Sequence, residues 1–166
     1  MEVRPDRLTV ARTEGFVVFI VGARINKWWL VPIVFGVAAA MQRMLAQLAA
    51  DPDSGLLSVE SFTGRTTMSV QYWRSIDDLL RYARDKEKEH APTWSRWLRS
   101  WGLGGAVGIY HETYVVAPGS YECVYQHMPP FGLGRLGPMV AAEGDLRTAA
   151  GRLAAGARRG VAAAAA

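Results

Sequence analysis

The chain of 166 residues contains one cysteine, Cys123, and three histidines, His90, His111 and His127. A lone cysteine excludes an internal disulfide framework and suits a reducing, cytoplasmic setting. The histidines lie far apart and Cys123 has no partner at ligand spacing, so no zinc-binding pattern is present. His111-Glu112 lacks the second histidine of a zincin helix, and neither a nucleophile elbow nor a phosphate-binding P-loop occurs. Long apolar runs are missing too. Trp28 to Met41 is uncharged but includes Pro32 and Gly36, and it falls short of the roughly 20 apolar residues a spanning helix needs. It begins too far into the chain, behind acidic residues, to read as a signal peptide. A buried helix is the expectation, with peripheral membrane contact by Trp28 and Trp29 as the alternative.

Charge of either sign is nearly balanced over most of the chain. Residues 1–134 hold 14 of the 19 basic residues and 13 of the 15 acidic ones, so the net charge of +4 comes mainly from the C-terminal tail. No basic stripe suited to nucleic acid remains in the folded part, and no nucleic-acid partner is expected. One motif invites a nucleotide reading. Gly132-Leu-Gly134-Arg-Leu-Gly137 fits G-x-G-x-x-G, but a dinucleotide site needs that pattern after the first strand, opening a helix of a βαβ unit. Here it follows the last expected strand, with Pro129-Pro130 before it and Pro138 after it. The fingerprint is rejected.

What the chain does contain is a regular succession of patterned segments. Residues 1–14 are polar and lack a period, as in an arm or an edge segment. "GFVVFIVGA" (15–23) is continuously apolar and β-branched, as in a strand buried on both faces. Pro32 fits the first turn of a helix, after which Val34, Val37, Met41, Met44 and Leu48 recur at helical spacing. Asp51-Pro-Asp-Ser-Gly55 ends that helix. "LLSVESF" (56–62) and "TTMSVQYW" (66–73) flank Gly64-Arg65 as a hairpin. Ser75-Ile-Asp-Asp78 is a capping box for a second helix, kinked or restarted at Pro92, beyond which Trp94, Trp97, Leu98 and Trp101 form a stripe. Residues 106–116 and 120–128 predict two last strands.

The predicted order, β-α-β-β-α-β plus an extra C-terminal strand, is an α+β, ferredoxin-like arrangement. It spans residues 15–140 and leaves 141–166 as a tail rich in Ala and Arg, expected to be partly disordered. Two helices cover one face of such a sheet. The first strand is apolar on both faces, so the other face calls for a partner, and a second copy of the sheet is the simplest one. A homodimer is the expectation.

Candidate chemistry rests on a few residues. His90 shares a helical face with Trp94 if the helix is continuous, where a neutral imidazole can move a proton or ligate heme iron. The alternative is a boundary histidine beside a charged run. His111 alternates with apolar residues and reads as a satisfied core histidine or a base. Tyr121 and Tyr125 share a strand face with His127, which suits a polar network or a pocket wall. Met128-Pro-Pro-Phe131 and the glycines after it form a shaped loop, with Met128 and Phe131 expected at a pocket mouth as a lid.

Arg24-Ile-Asn26, "YWRSIDDLLRYARD", His90-x-Pro92-x-Trp94, "GIYHETYVV" and "YECVYQHMPPFGLG" resemble the small monooxygenase-like proteins of the dimeric α/β-barrel superfamily, in the branch of a fumagillin-pathway monooxygenase. The resemblance implies a dimeric barrel of ferredoxin-like sheets. It also implies a monooxygenase acting on an aromatic or polyketide-like molecule, as in secondary metabolism. His90 or His111 would then deprotonate a phenol, and Tyr121, Tyr125 or Asn26 would hold the anion. Heme-degrading relatives suggest a second set, with His90 as axial ligand, Asn26 nearby and Trp73 or a later tryptophan as third member. The cofactor is thus none or heme, the heme readings being a monooxygenase or an aldoxime dehydratase-like lyase. A non-catalytic, ligand-binding dimer is the third reading.

Overall fold

The computed structural model describes residues 2–29, 31–85 and 105–165. In chain order the elements are β1 (Leu8–Val10), β2 (Phe16–Ile25), α1 (Val31–Ala49), β3 (Leu56–Phe62), β4 (Thr66–Trp73), α2 (Ile76–Arg84), β5 (Val107–Val116), β6 (Met139–Ala141) and α3 (Ala149–Ala164). Strands β3, β4, β2 and β5 form one antiparallel sheet in that spatial order. From β2 to β5 the chain therefore has the ferredoxin-like order β-α-β-β-α-β. The continuous apolar run of β2 explains why it lies in the interior of the sheet, paired along its length with β4 and β5.

Alternation divides β2 between two cores. Val17 packs with Trp73, Leu48, Leu79 and Tyr82 under the helices. Phe16, on the opposite face, packs with Val10 and Leu133, and Val18, Tyr72 and Tyr121 close around them. Part of the face expected to need a second copy is thus covered by the chain's own ends. Residues 120–128 do not form the extra strand expected there. Their pairing is limited to isolated bridges from Arg4 to Met128 and from Leu8 to Tyr125. His127, at φ +52°, turns the backbone away from extended geometry just before Pro129-Pro130. Of the two readings of the N-terminal residues, the edge segment applies to residues 8–10, which pair with β6.

The tail departs from expectation in the same direction. Thr148 caps α3 by accepting the Gly151 N–H at 3.0 Å. Arg152, almost fully buried, donates to the carbonyls of Leu146 and Arg147 at 2.8 and 3.1 Å and pairs with Glu122. Bulky apolar side chains are replaced by close backbone approach. A Cβ on Gly156 would lie 2.5 Å from the Gly119 carbonyl oxygen, so only glycine lets the helix rest on that turn.

Asp78 ties the start of α2 to the sheet. Ser75 accepts the Asp78 N–H at 3.1 Å, the N-cap bond of a capping box, and donates its hydroxyl to the Asp78 carboxylate at 2.9 Å. Arg74 donates to both carboxylate oxygens, at 2.9 and 3.1 Å, and Arg81 adds a further contact. The Arg74 hydrogen bonds are the main cause that lowers the Asp78 pKa to about 2, with help from Ser75 and Arg81 against the cost of burial. A depressed carboxylate pKa contributes stability that is present above the unfolded value near 4 and lost as pH falls through about 2. Asp78→Asn should therefore lower stability at neutral pH and flatten the decline between those pH values. Urea denaturation at a series of pH values measures both; equal acid slopes for the two proteins would refute the assignment.

Candidate active site

The composition of α1 leaves space above the sheet. Its contribution there is the short side chain of Ala38, with Met41 and Gln42 a turn further on. A cavity of about 110 Å³ remains there. Val21, Ala23 and Ile25 of β2 line it, with Ala38, Met41 and Gln42 of α1, Thr67, Met68 and Ser69 of β4, Ser61, Phe62 and Thr63 around the hairpin, and Val107 of β5. The walls are mainly apolar, and two hydroxyls among them differ in state. Thr67 Oγ1 accepts the Ala23 N–H and donates to the Ala23 carbonyl, both at 3.2 Å. Ser69 Oγ is buried and has no hydrogen-bond partner among the described residues. A buried hydroxyl without a partner is costly. It is also available to a ligand.

Ile25 also borders a second, open hollow of about 560 Å³, lined by Asn26, Trp28, Trp29, Gly64 and Arg65. The backbone around it is fixed. Asn26 and Lys27 N–H both donate to the Ala106 carbonyl, at 3.0 and 3.1 Å, and Asn26 Nδ2 donates to Gly105 O at 3.1 Å. The hollow shares Ile25 with the cavity and lies beside it. Such a combination suits a ligand larger than the cavity alone, with an apolar part inside and the remainder among the tryptophans.

The candidate residues divide across the sheet. His111 pairs in register with Val21, a cavity residue, and shares its face. It is exposed, with its ring 5.7 Å from that of Phe19, so the core-histidine alternative gives way. Asn26 lines the hollow. His90 and Trp94, like the other tryptophans of the predicted stripe and the kink at Pro92, lie outside the described residues. Trp73 is fully buried, and its indole N–H donates to Gln71 Oε1 at 3.0 Å. It is a core residue and cannot touch a substrate in this arrangement.

Tyr121 and Tyr125 belong to the opposite face. Tyr121 Oη accepts the Arg12 N–H at 2.7 Å and lies 2.9 Å from the Arg12 carbonyl as its donor, fastening the N-terminal arm. Tyr125 Oη accepts the Gly134 N–H at 2.9 Å. Burial raises the pKa of Tyr125, with Cys123 nearby adding to the shift. Burial likewise raises that of Tyr72, despite the opposing hydrogen bond from the Leu133 backbone. Both phenols stay protonated at neutral pH and serve as anchors. The expected lid is tied down as well. Gly132 donates its N–H to Glu60 Oε1 at 3.0 Å, Arg135 pairs with the same oxygen at 3.2 Å, and Gly132, Leu133 and Gly134 are buried. Met128 is exposed beside this loop. Phe131 is not among the cavity's lining residues; its ring lies 6.3 Å from that of Phe62.

Ser69, Gln42 and Arg65 were not singled out by sequence reasoning. The available signal was the alternation of Thr67, Ser69 and Gln71 in β4. Polar residues at every second position suggest a solvent face, yet Ser69 and Gln71 are both buried beneath the helices.

A sequence profile of the Monooxygenase af470-like family matches residues 16–133. The chain belongs to that family. Monooxygenase af470 of Aspergillus fumigatus is 31% identical over 87 residues, which cover 49% of this chain and 30% of the relative. The chain thus matches less than a third of that relative's length. A conserved protein of unknown function from Bacteroides thetaiotaomicron, described as a possible oxidoreductase, superposes with a TM-score of 0.45 at 13% identity over 61% of this chain and 98% of its own. A protein from Shewanella oneidensis gives 0.41 at 9% identity over 66% and 99%.

The two cavity hydroxyls should respond differently to removal. Ser69→Ala should leave the melting temperature unchanged or raise it, because it deletes an unpaired polar group. Thr67→Val should cost about 1 kcal/mol through the lost hydrogen bonds to Ala23. Thermal and urea denaturation decide; a clear loss from Ser69→Ala would mean that its hydroxyl is satisfied.

Proposed function

We propose that this protein is a small-molecule monooxygenase that oxidises an apolar aromatic or polyketide-like substrate in the cavity between α1 and the sheet. The observation that carries this reading is the apolar cavity with a tryptophan-lined hollow beside it, in a chain whose family is named for a monooxygenase. His111, in register with Val21 but outside the cavity lining, is the described candidate for the base, taking a phenolic proton from a part of the substrate that extends past that lining. The electron-rich phenolate then reacts with dioxygen: one oxygen atom enters the ring to give a quinone, and the other leaves as water with the two displaced hydrogens. Phenol and dioxygen balance quinone and water, so the substrate supplies the electrons.

The described residues do not fit a heme. No histidine lines the cavity or the hollow among them, and a volume of about 110 Å³ does not admit a tetrapyrrole. His90 remains the proposed axial ligand of that second reading. Two measurements decide between the readings. Oxygen uptake across a panel of phenols and polyketide-like aromatics is expected for the purified protein without added cofactor, and Ala38→Trp, which extends a bulky ring from an exposed position on the cavity lining, should abolish it without unfolding the chain. Absence of uptake with ligand binding retained would make the protein a binder. A Soret band on hemin addition that is lost in His90→Ala would favour heme.

A homodimer belongs to the same proposal. Ile20 and Val70 lie on the sheet face away from the helices and are only partly buried, and their β5 neighbours Glu112 and Tyr114 are exposed. A second sheet would cover them. Sedimentation equilibrium at micromolar concentration should give twice the chain mass; a stable monomer would remove the dimer from the reading.

A further inference from the structure

The geometry points to an anionic lipid bilayer as the partner of the surface around Trp28, Trp29 and Phe35. These side chains are exposed by 75%, 60% and 71% of their area. Scattered exposed apolar residues are ordinary in soluble proteins. Trp28 and Trp29 are exposed side by side, and Phe35 is a third exposed aromatic seven residues along the chain. The two indoles stand edge to face with ring centres 6.2 Å apart. The strand leading to them is fastened on both sides, by the Ile25 N–H to the Arg65 carbonyl at 2.9 Å and by the two bonds to Ala106. The patch is therefore displayed by the fold and is no frayed end.

Charge selects the occupant. Residues 15–50 include Arg24, Lys27 and Arg43 and contain no aspartate or glutamate. Arg65 reaches the same place from the β3–β4 hairpin and lines the hollow with both tryptophans. Exposed tryptophans with Arg65 in the same hollow and Lys27 next to them in the chain match the apolar boundary and anionic headgroups of a bilayer surface. A second copy of the chain fits less well. In a twofold interface the patch would meet itself, bringing Lys27 and Arg65 against their own copies with no acid from residues 15–50 to separate them. The contact is peripheral, since no described helix is long and apolar enough to cross a membrane.

The test is cosedimentation of the full chain with sucrose-loaded vesicles of phosphatidylcholine alone, and with roughly a third phosphatidylserine, at low and raised salt. Binding is expected to the anionic vesicles and to weaken with salt. Trp28→Ser with Trp29→Ser should weaken it by about tenfold or more, and Arg65→Glu should reduce it while leaving the melting temperature unchanged. Phe35→Ser provides the aromatic test should the double variant fail to fold. The readout needs no turnover, so it is independent of the proposed reaction. Wild-type protein that stays in the supernatant with both vesicles would overturn the inference. So would aromatic variants that bind like wild type, or a loss of self-association in place of vesicle binding.

Discussion

Strand β2 has no polar face, and the rest of the molecule answers that constraint. Phe16, Val18 and Ile20 project from one side, and Val17, Phe19 and Val21 from the other. An interior strand of this kind must be covered twice. On one side the cover is helical, with Leu48 of α1 and Leu79 and Tyr82 of α2 closing over Val17 and Trp73. On the other it is the chain's own ends, where Val10 and Leu133 close over Phe16. The helical cover is well filled at the Val17 end and hollow at the Ile25 end, and that gradient places the candidate site.

The second cover also explains the glycine-rich stretch. A phosphate-binding loop leaves its backbone N–H groups free for an anion. Here the Gly132 N–H already meets the chain's own carboxylate, Glu60, and the Gly134 N–H meets the Tyr125 phenol. Gly132, at φ +52°, brings its backbone against Tyr72, where a Cβ would lie 3.0 Å from the phenolic oxygen. The glycines serve close packing of a loop on a sheet. Tyrosines that looked like pocket walls are the posts to which that loop is fastened.

Local rules made much of this fold legible in the sequence. The limits of β3 and β4, the capping box at Ser75 and Asp78, and the first-turn proline of α1 depend on neighbouring residues, and each follows from short-range chemistry. What escaped was set by contacts distant in sequence. Residues 120–128 alternate like a strand, but their partner is the N-terminal arm more than 100 residues away. Helix α3 looked unable to pack because its apolar side chains are small, while its seat depends on glycine in two separate segments. For the site, His111 and Asn26 could be named but not located, and the face of β4 was ambiguous because both of its alternating sets are buried in part. Hydrophobic pattern alone gives no way to choose between them.

The emptiness above β2 has a physical reading of its own. Filling the space with larger aliphatic side chains at lining positions such as Ala38 and Ala23 would bury more apolar area and stabilise the helix–sheet layer. The short side chains forgo that stabilisation, and Ser69 adds an unpaired hydroxyl to the same wall. Two departures from good packing at one place fit a local sequence shaped by something other than stability. The cavity is small, so an apolar substrate entering it leaves its remainder in the tryptophan-lined hollow beside it. Molecules of that kind partition out of water into lipid. A hollow formed by Trp28 and Trp29 beside Arg65 would open where such molecules are most concentrated, so the chemistry of the cavity and of the exposed aromatic patch lead to the same class of ligand.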